Sequence, residues 1–222
     1  MFDRISRSYD FLNHFFSLGT DRRWRRLAIQ SLHLSSGHKL LDCSAGTGDM
    51  ALTALREVPE VHAVLLDPAQ EMLKIAGGKT GTIPATQIRL VRGVAETLPF
   101  AGETFDRFMV AFGIRNFASL EEGMRELHRT LKPGGHGAIL EFTPDRASGI
   151  DRVFRWYMRC IMQPVGALIS RDREAYSYLS RTVQGFATSS ELLDLFERVG
   201  FVCRESRRLS LGVARLFVLE KA

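Results

Sequence analysis

The spacing of hydrophobic and polar positions changes several times along the chain, and each change marks an element. Residues 1–36 read as helical. One apolar stripe is Phe11, Leu12, Phe15 and Phe16, a second is Trp24, Leu27, Ala28, Leu32 and Leu34, and Gly19 separates them. At Lys39 the pattern becomes a short apolar run, Lys39-Leu40-Leu41-Asp42-Cys43, which meets the glycine turn Ser44-Ala45-Gly46-Thr47-Gly48. A helix is expected from there to Arg56. Strands are expected over Val61 to Leu66, Ile88 to Val91, Phe105 to Phe112 and Ala138 to Phe142. Helical spacing recurs over Glu71 to Ala76 and Leu120 to Leu131, the latter stopped by Lys132-Pro133-Gly134-Gly135.

The rest of the chain is patterned differently. Ile150 to Met162 reads as an amphipathic helix, and a second helical stretch runs from Glu174 toward Gln184. Thr188-Ser189-Ser190-Glu191 is a capping box, opening a helix that ends at Gly200. Two strand candidates follow, Phe201 to Glu205 and Val213 to Leu219, with no helix between them, so they form a hairpin. Strands alternating with helices predict a parallel sheet covered on both faces. The expected fold is α/β, a Rossmann-like class I methyltransferase arrangement: a mostly parallel seven-stranded sheet with a C-terminal antiparallel hairpin. One domain is expected, with a helical cap at 1–36, a cofactor-binding core at 37–145, a helical insertion over the substrate pocket at 146–188, and a C-terminal helix and hairpin at 189–222.

Composition narrows the partners without naming one. The formal net charge is +5, a mild basic excess compatible with an anionic membrane surface, a nucleic acid or an anionic cofactor. The three cysteines, Cys43, Cys160 and Cys203, form no CxxC pair, and the six histidines include no pair at ligand spacing. Neither a disulfide framework nor a metal site is expected. No apolar run approaches the ~18 residues of a membrane span, and no signal-peptide pattern is present, so a cytoplasmic protein is expected.

The chemistry centres on Asp42, Ala45, Gly46, Thr47 and Gly48. A glycine turn after a buried strand lets the backbone approach a ligand closely, and the helix it opens directs amides at that ligand. At the end of the next strand, Asp67, followed by Pro68, can take both hydroxyls of a ribose. Dehydrogenases also place a glycine loop after their first strand. Here the third glycine of G-x-G-x-x-G is replaced by Ala51, and the C-terminal hairpin is not a dehydrogenase feature.

The sequence resembles the ubiquinone/menaquinone biosynthesis C-methyltransferases along nearly its whole length. The resemblance rests on Met1-Phe2-Asp3, Tyr9-Asp10, Arg22 through Arg25, Leu41-Asp42 to Gly48-Asp49, and Asp67 with Met72-Leu73. It continues through Ala95-Glu96 with Leu98-Pro99-Phe100, Leu131 to Gly135, Leu140-Glu141-Phe142, and Tyr176 with Tyr178-Leu179. Its most specific segment is Ala111-Phe112-Gly113-Ile114-Arg115-Asn116. The resemblance implies transfer of a methyl group from S-adenosyl-L-methionine to a ring carbon of a prenylated quinol, of the demethylmenaquinol-to-menaquinol type. It implies that Thr47, Asp67, Val94-Ala95 and Ala111 hold the cofactor, with Tyr9 closing over it. The family usually has asparagine or aspartate where this chain has Val94, and often serine at Ala111. The backbone amide of Ala95 would then be left to meet the adenine.

Such a transfer needs positioning and a stabilised phenolate. Arg115 is the first candidate for electrostatic support, with a loop-holding salt bridge as the alternative. Asn116 would orient the quinol oxygen, and Glu96 would touch the cofactor or take a proton through water. Phe112, Arg115, Tyr176 and Tyr178 are the candidate substrate pocket, and His128 is expected at the surface. The implied partner is a prenylated quinol, so peripheral contact with the inner face of a membrane is expected. Arg152, Arg155 and Arg159, and Arg22 to Arg26 around Trp24, supply basic amphipathic faces for it. No nucleic acid is expected, because no aromatic-rich RNA motif is present; a homo-oligomer is left open. The alternatives are a methyltransferase for a non-prenylated aromatic acceptor and a non-catalytic scaffold in quinone assembly.

Overall fold

The computed structural model describes residues 19–143 and 185–222, with positions 6, 16, 17, 156, 157, 160, 162, 164, 165, 178, 182 and 183. β1 (Lys39–Cys43) lies at the centre of the sheet with four of its five residues buried, as a strand covered on both faces requires. It pairs in parallel with β2 (His62–Asp67) and β4 (Phe105–Ala111). β3 (Ile88–Arg92) extends the sheet beyond β2, and β5 (Leu131–Glu141) extends it beyond β4, both in parallel. β7 (Ala214–Lys221) then pairs antiparallel with β5, and β6 (Phe201–Leu209) closes that edge. The order is β3-β2-β1-β4-β5-β7-β6, the expected mostly parallel sheet with a terminal hairpin.

Adjacent strand residues feed opposite cores. Leu40, Met109, Ala138 and Val218 face α1 (Thr20–Ser31) and α2 (Asp49–Glu57), with Trp24, Ala28, Ile29 and Ala51. Leu41, Phe108, Ile139 and Phe217 face α4 (Leu120–Thr130) and α5 (Ser189–Val199), with Met124, Leu127, Leu192 and Phe196. α3 (Gln70–Thr80) connects β2 to β3. α1 runs opposite to the central strands. Near its end the Leu32 carbonyl accepts from Arg107 Nε at the start of β4 (2.6 Å). Near its beginning Trp24 Nε1 donates to Ser210 Oγ beyond the end of β6 (3.1 Å). α5 carries the capping box that the sequence predicts, with the Thr188 amide donating to Glu191 Oε2 at 2.7 Å.

Two boundaries differ from expectation. β5 starts at Leu131 rather than Ala138, because Leu131 already pairs with Phe105. The next paired residues are Arg107 and His136, so Lys132–Gly135 bulges out of the ladder: the turn ends α4 and is carried inside the strand. β6 runs on past Glu205 to Leu209 through Arg207 and Arg208, where the sequence suggests a polar turn. An edge strand with one face in water accommodates those arginines. Among the described residues no helix is long and apolar enough to cross a membrane.

Candidate active site

The chain builds outward from β1 through β2 and β3, then crosses back to β4 on the other side. At such a reversal the loops beyond the carboxyl ends of the strands diverge and leave a crevice. An open cleft of about 160 Å³ lies there. The first four strands contribute to it: Ser44 and Gly46 after β1, Asp67 and Pro68 at the end of β2, Val94 to Glu96 after β3, and Ala111 to Gly113 with Asn116 at the end of β4 and beyond.

The glycine loop is built for tight packing behind and open access in front. Gly46 has φ 55°, and a Cβ there would meet nothing within 4 Å, so its backbone faces the cleft unshielded. Gly48 has φ 82°, and a Cβ there would lie 3.1 Å from Leu65 Cδ2 and 3.2 Å from the Ala76 Cβ. Asp67 clamps the loop to the start of α3: Oδ2 accepts the Gly46 amide and Oδ1 the Ala69 amide, both at 2.8 Å. That carboxylate lines the cleft.

Of the residues expected at the cofactor, Gly46, Asp67, Pro68, Val94, Ala95 and Ala111 line the cleft. Asp42, Ala45, Thr47 and Gly48 are not among its lining residues; they build the loop from behind. Thr47 is buried, and its hydroxyl accepts from Lys79 Nζ (3.1 Å), which also pairs with Asp49 (2.6 Å). Asp42 accepts the Ala51 amide at 3.2 Å. Burial pushes its carboxyl up to about 8, against the opposing pull of the Arg25 cation.

The wall after β4 is held differently from expectation. Phe112 has φ 57°, and Ser44 opposite it φ 59°, left-handed conformations that non-glycine residues adopt only under constraint. Arg115 supplies part of that constraint. Its Nη1 donates to the Phe112 carbonyl (2.6 Å) and to Glu141 Oε1 (2.7 Å). The two side chains are 4% and 0% exposed. Burial raises the Glu141 pKa, while Arg115 opposes the rise. Arg115 is not among the cleft-lining residues; the structure pairs it with Glu141 in the salt bridge named as its alternative.

Asn116 and Glu96 do line the cleft. Asn116 Oδ1 accepts from the Tyr178 hydroxyl at 3.1 Å. Glu96 Oε1 accepts the amides of Ala118 (2.5 Å) and Ser119 (3.2 Å), tying the wall after β3 to the entry of α4. Tyr9 and Tyr176 lie outside the described residues, as does most of the helical insertion. His128, expected at the surface, is half-buried with its ring edge-on to Phe201 (5.0 Å).

Ser44, Met72, Gly113, Phe117 and Ala118 also line the cleft and are not among the expected site residues. Met72 sits in the first turn of α3, where its helical spacing reads as core; Phe117 follows a short turn with no periodicity of its own. Met72, Val94 and Phe117 make an apolar wall beside the Asp67 carboxylate, which fits a purine nucleoside. Behind the wall Phe112 stacks on Phe142 (4.6 Å) and both contact Trp24 (6.2 and 6.5 Å).

A model of the ubiE/COQ5 methyltransferase family matches residues 1–221. The chain belongs to that family. The demethylmenaquinone methyltransferase of Bacteroides fragilis is 38% identical over all of this chain and 91% of its own length. The ubiquinone/menaquinone biosynthesis C-methyltransferase of Geobacter sulfurreducens is 37% identical over all of this chain and 87% of its own. Among solved structures, a geranyl diphosphate methyltransferase in complex with GPP and sinefungin superposes with a TM-score of 0.67 at 11% identity, over 90% of this chain and 78% of that one. A SAM-dependent methyltransferase from Aquifex aeolicus gives 0.62 at 14%, over 89% of each. These two show the fold. As a family member this chain is an S-adenosylmethionine-dependent methyltransferase.

Proposed function

We propose that this protein methylates a ring carbon of a prenylated quinol, in a demethylmenaquinol-to-menaquinol type step of menaquinone or ubiquinone biosynthesis. The observation that carries the proposal is the cleft itself. It offers a ribose-competent carboxylate at Asp67, exposed backbone at Gly46, and an aromatic wall at Phe112 and Phe117 on a chain of this family.

When bound, S-adenosylmethionine supplies a methyl group on a sulfonium, an electrophile that needs an in-line nucleophile. Asp67 would hold the ribose, while Met72, Pro68 and Val94 would cover the adenine. Val94 gives no side-chain hydrogen bond, so the Ala95 amide would take that part. Phe112 would meet the quinol ring, and the Asn116 amide would orient a ring oxygen, its Oδ1 being fixed by Tyr178. Arg115 and Glu141 would act through Phe112 by fixing its backbone. The acceptor's ring carbon would be the nucleophile, and the proton it carries would leave after methylation to restore the aromatic quinol. Glu96 would accept a proton through water while its other oxygen stays on the wall. The acceptor's prenyl tail favours peripheral contact with the inner face of a membrane.

Purified protein incubated with S-adenosylmethionine and a reduced short-prenyl demethylnaphthoquinol should yield a product heavier by one methylene on the ring. The Asp67→Ala variant should lose both product and cofactor affinity. Cofactor binding without product on either quinol type would redirect the assignment to a non-prenylated acceptor. Absence of both would favour the scaffold.

A further inference from the structure

Gly123 stands on the buried face of α4, near its beginning. A glycine inside a helix is less favourable than an alanine, so α4 gains nothing locally from having one. What the missing side chain admits is a ring. A Cβ at Gly123 would lie 2.4 Å from Phe117 Cδ2 and 2.8 Å from Phe117 Cε2. Carbons do not approach so closely, so one of the two would have to move. Phe117 lines the cleft, and so does Ala95, whose Cβ would be 3.4 Å from the same added carbon.

The other neighbours of Gly123 are held in place. Met124 and Leu127 anchor α4 in the core that contains Phe108 and Ile139. The short helical turn Ala95–Thr97 is tied to α4 on both sides of Gly123. Before it, Glu96 Oε1 accepts the Ala118 and Ser119 amides. After it, Glu126 Oε2 accepts the Leu98 amide at 2.9 Å, and Glu126 is itself paired with Arg129 at 2.6 Å. A side chain at position 123 would therefore meet a fixed helix, a fixed turn and the Phe117 ring. Of the three only the ring can swing, and the space open to it is the cleft.

We propose that Gly123 is a specificity-determining position for the cofactor: by letting Phe117 recede onto α4, it sets the room that the apolar wall of Met72, Val94 and Phe117 leaves for the adenine. Gly123 acts through Phe117 and is a positioning residue. A planar base in a close-packed slot tolerates little displacement of the wall, because dispersion contacts fall off steeply with a small shift. The proposal rests on the reading that places the adenine against this wall. It makes no use of the acceptor.

The full chain would be titrated calorimetrically with S-adenosylhomocysteine and with methylthioadenosine, which keeps the nucleoside and lacks the amino-acid end. Gly123→Ala should weaken both about tenfold or more, the scale of one added carbon in a packed site. Its Tm should change little, since alanine favours the helix while the shifted ring loses packing. Phe117→Val removes the ring. Adding Gly123→Ala to it should leave both affinities within about twofold of Phe117→Val alone. That comparison decides the matter even where Gly123→Ala by itself does not fold. A defect confined to α4 would lower Tm and weaken binding equally in both backgrounds, which would overturn the proposal. So would unchanged affinity in a folded Gly123→Ala protein, or a loss confined to S-adenosylhomocysteine. A wild type that binds neither nucleoside would overturn the placing of the adenine and this proposal with it. Wild-type binding that Gly123→Ala leaves intact would overturn this proposal alone.

Discussion

Replacing Asp42 with asparagine tests whether the base of the glycine loop is under electrostatic tension. The carboxyl is fully buried and accepts one amide, from Ala51. Burial is the main reason its pKa rises to about 8, and the Arg25 cation only partly offsets it. An unfolded aspartate titrates near 3.9. Between those values the folded state therefore holds a proton that the unfolded state has released. The unfolded chain then binds fewer protons, and stability falls as pH rises through the window from about 4 to about 8. Each pKa unit corresponds to ~1.4 kcal/mol, so the full window is worth at most about 6 kcal/mol. Asp42→Asn keeps an oxygen for the Ala51 amide and removes the titration. The variant should match the wild type near pH 4.5 and become progressively more stable toward pH 8. For a chain of this size ~1 kcal/mol is about 2–4 °C in Tm, so a gap of several degrees should open at pH 8. Thermal unfolding followed at half-unit steps of pH reads it directly. A gap that is constant across the range, or that narrows with pH, would refute the reasoning.

The other predictions concern the cleft walls and one cap. Arg115→Ala should destabilise by about 3–5 kcal/mol, because it leaves Glu141 buried without its partner. Adding Glu141→Gln to that variant should recover part of the loss in a urea titration. Gly113→Ala would place a Cβ 2.6 Å from the Ser44 Cβ, between the loops after β4 and β1. Calorimetry should show weaker cofactor binding, by about tenfold, with a smaller fall in Tm. Thr188→Ala removes the capping oxygen of α5 and should cost about 1 kcal/mol in the same urea titration, without moving cofactor affinity.

The fold was legible in the sequence because each element carries its own period and its own stop. Leu40 and Leu41 point to opposite cores, a consequence of strand geometry alone. Thr188 and Glu191 cap α5 through bonds that span one helical turn, so the signal is local. The glycine loop and Asp67 were legible for the same reason: chain geometry at the end of a strand fixes what can stand there. The bulged start of β5 was not, since Pro133 and Gly134 look like a stop and only the pairing of Leu131 with Phe105 shows that the strand has begun.

The roles of individual side chains were decided by tertiary structure. Arg115 and Glu141 lie on different elements, and nothing in either neighbourhood announces that they meet in the core. Until they do, an arginine after β4 reads equally well as catalytic. Thr47 likewise sits in the most legible motif of the chain, yet Lys79 from α3 decides where its hydroxyl is engaged. Gly123 reads as a weak point in α4; that its missing side chain makes room for a wall of the cleft follows from Phe117 and Ala95 converging on it, the latter from beyond β3. Period, cap and turn are properties of neighbouring residues. Whether a charged or apolar side chain is buried, paired or left in solvent depends on residues far along the chain, which only the folded arrangement brings together.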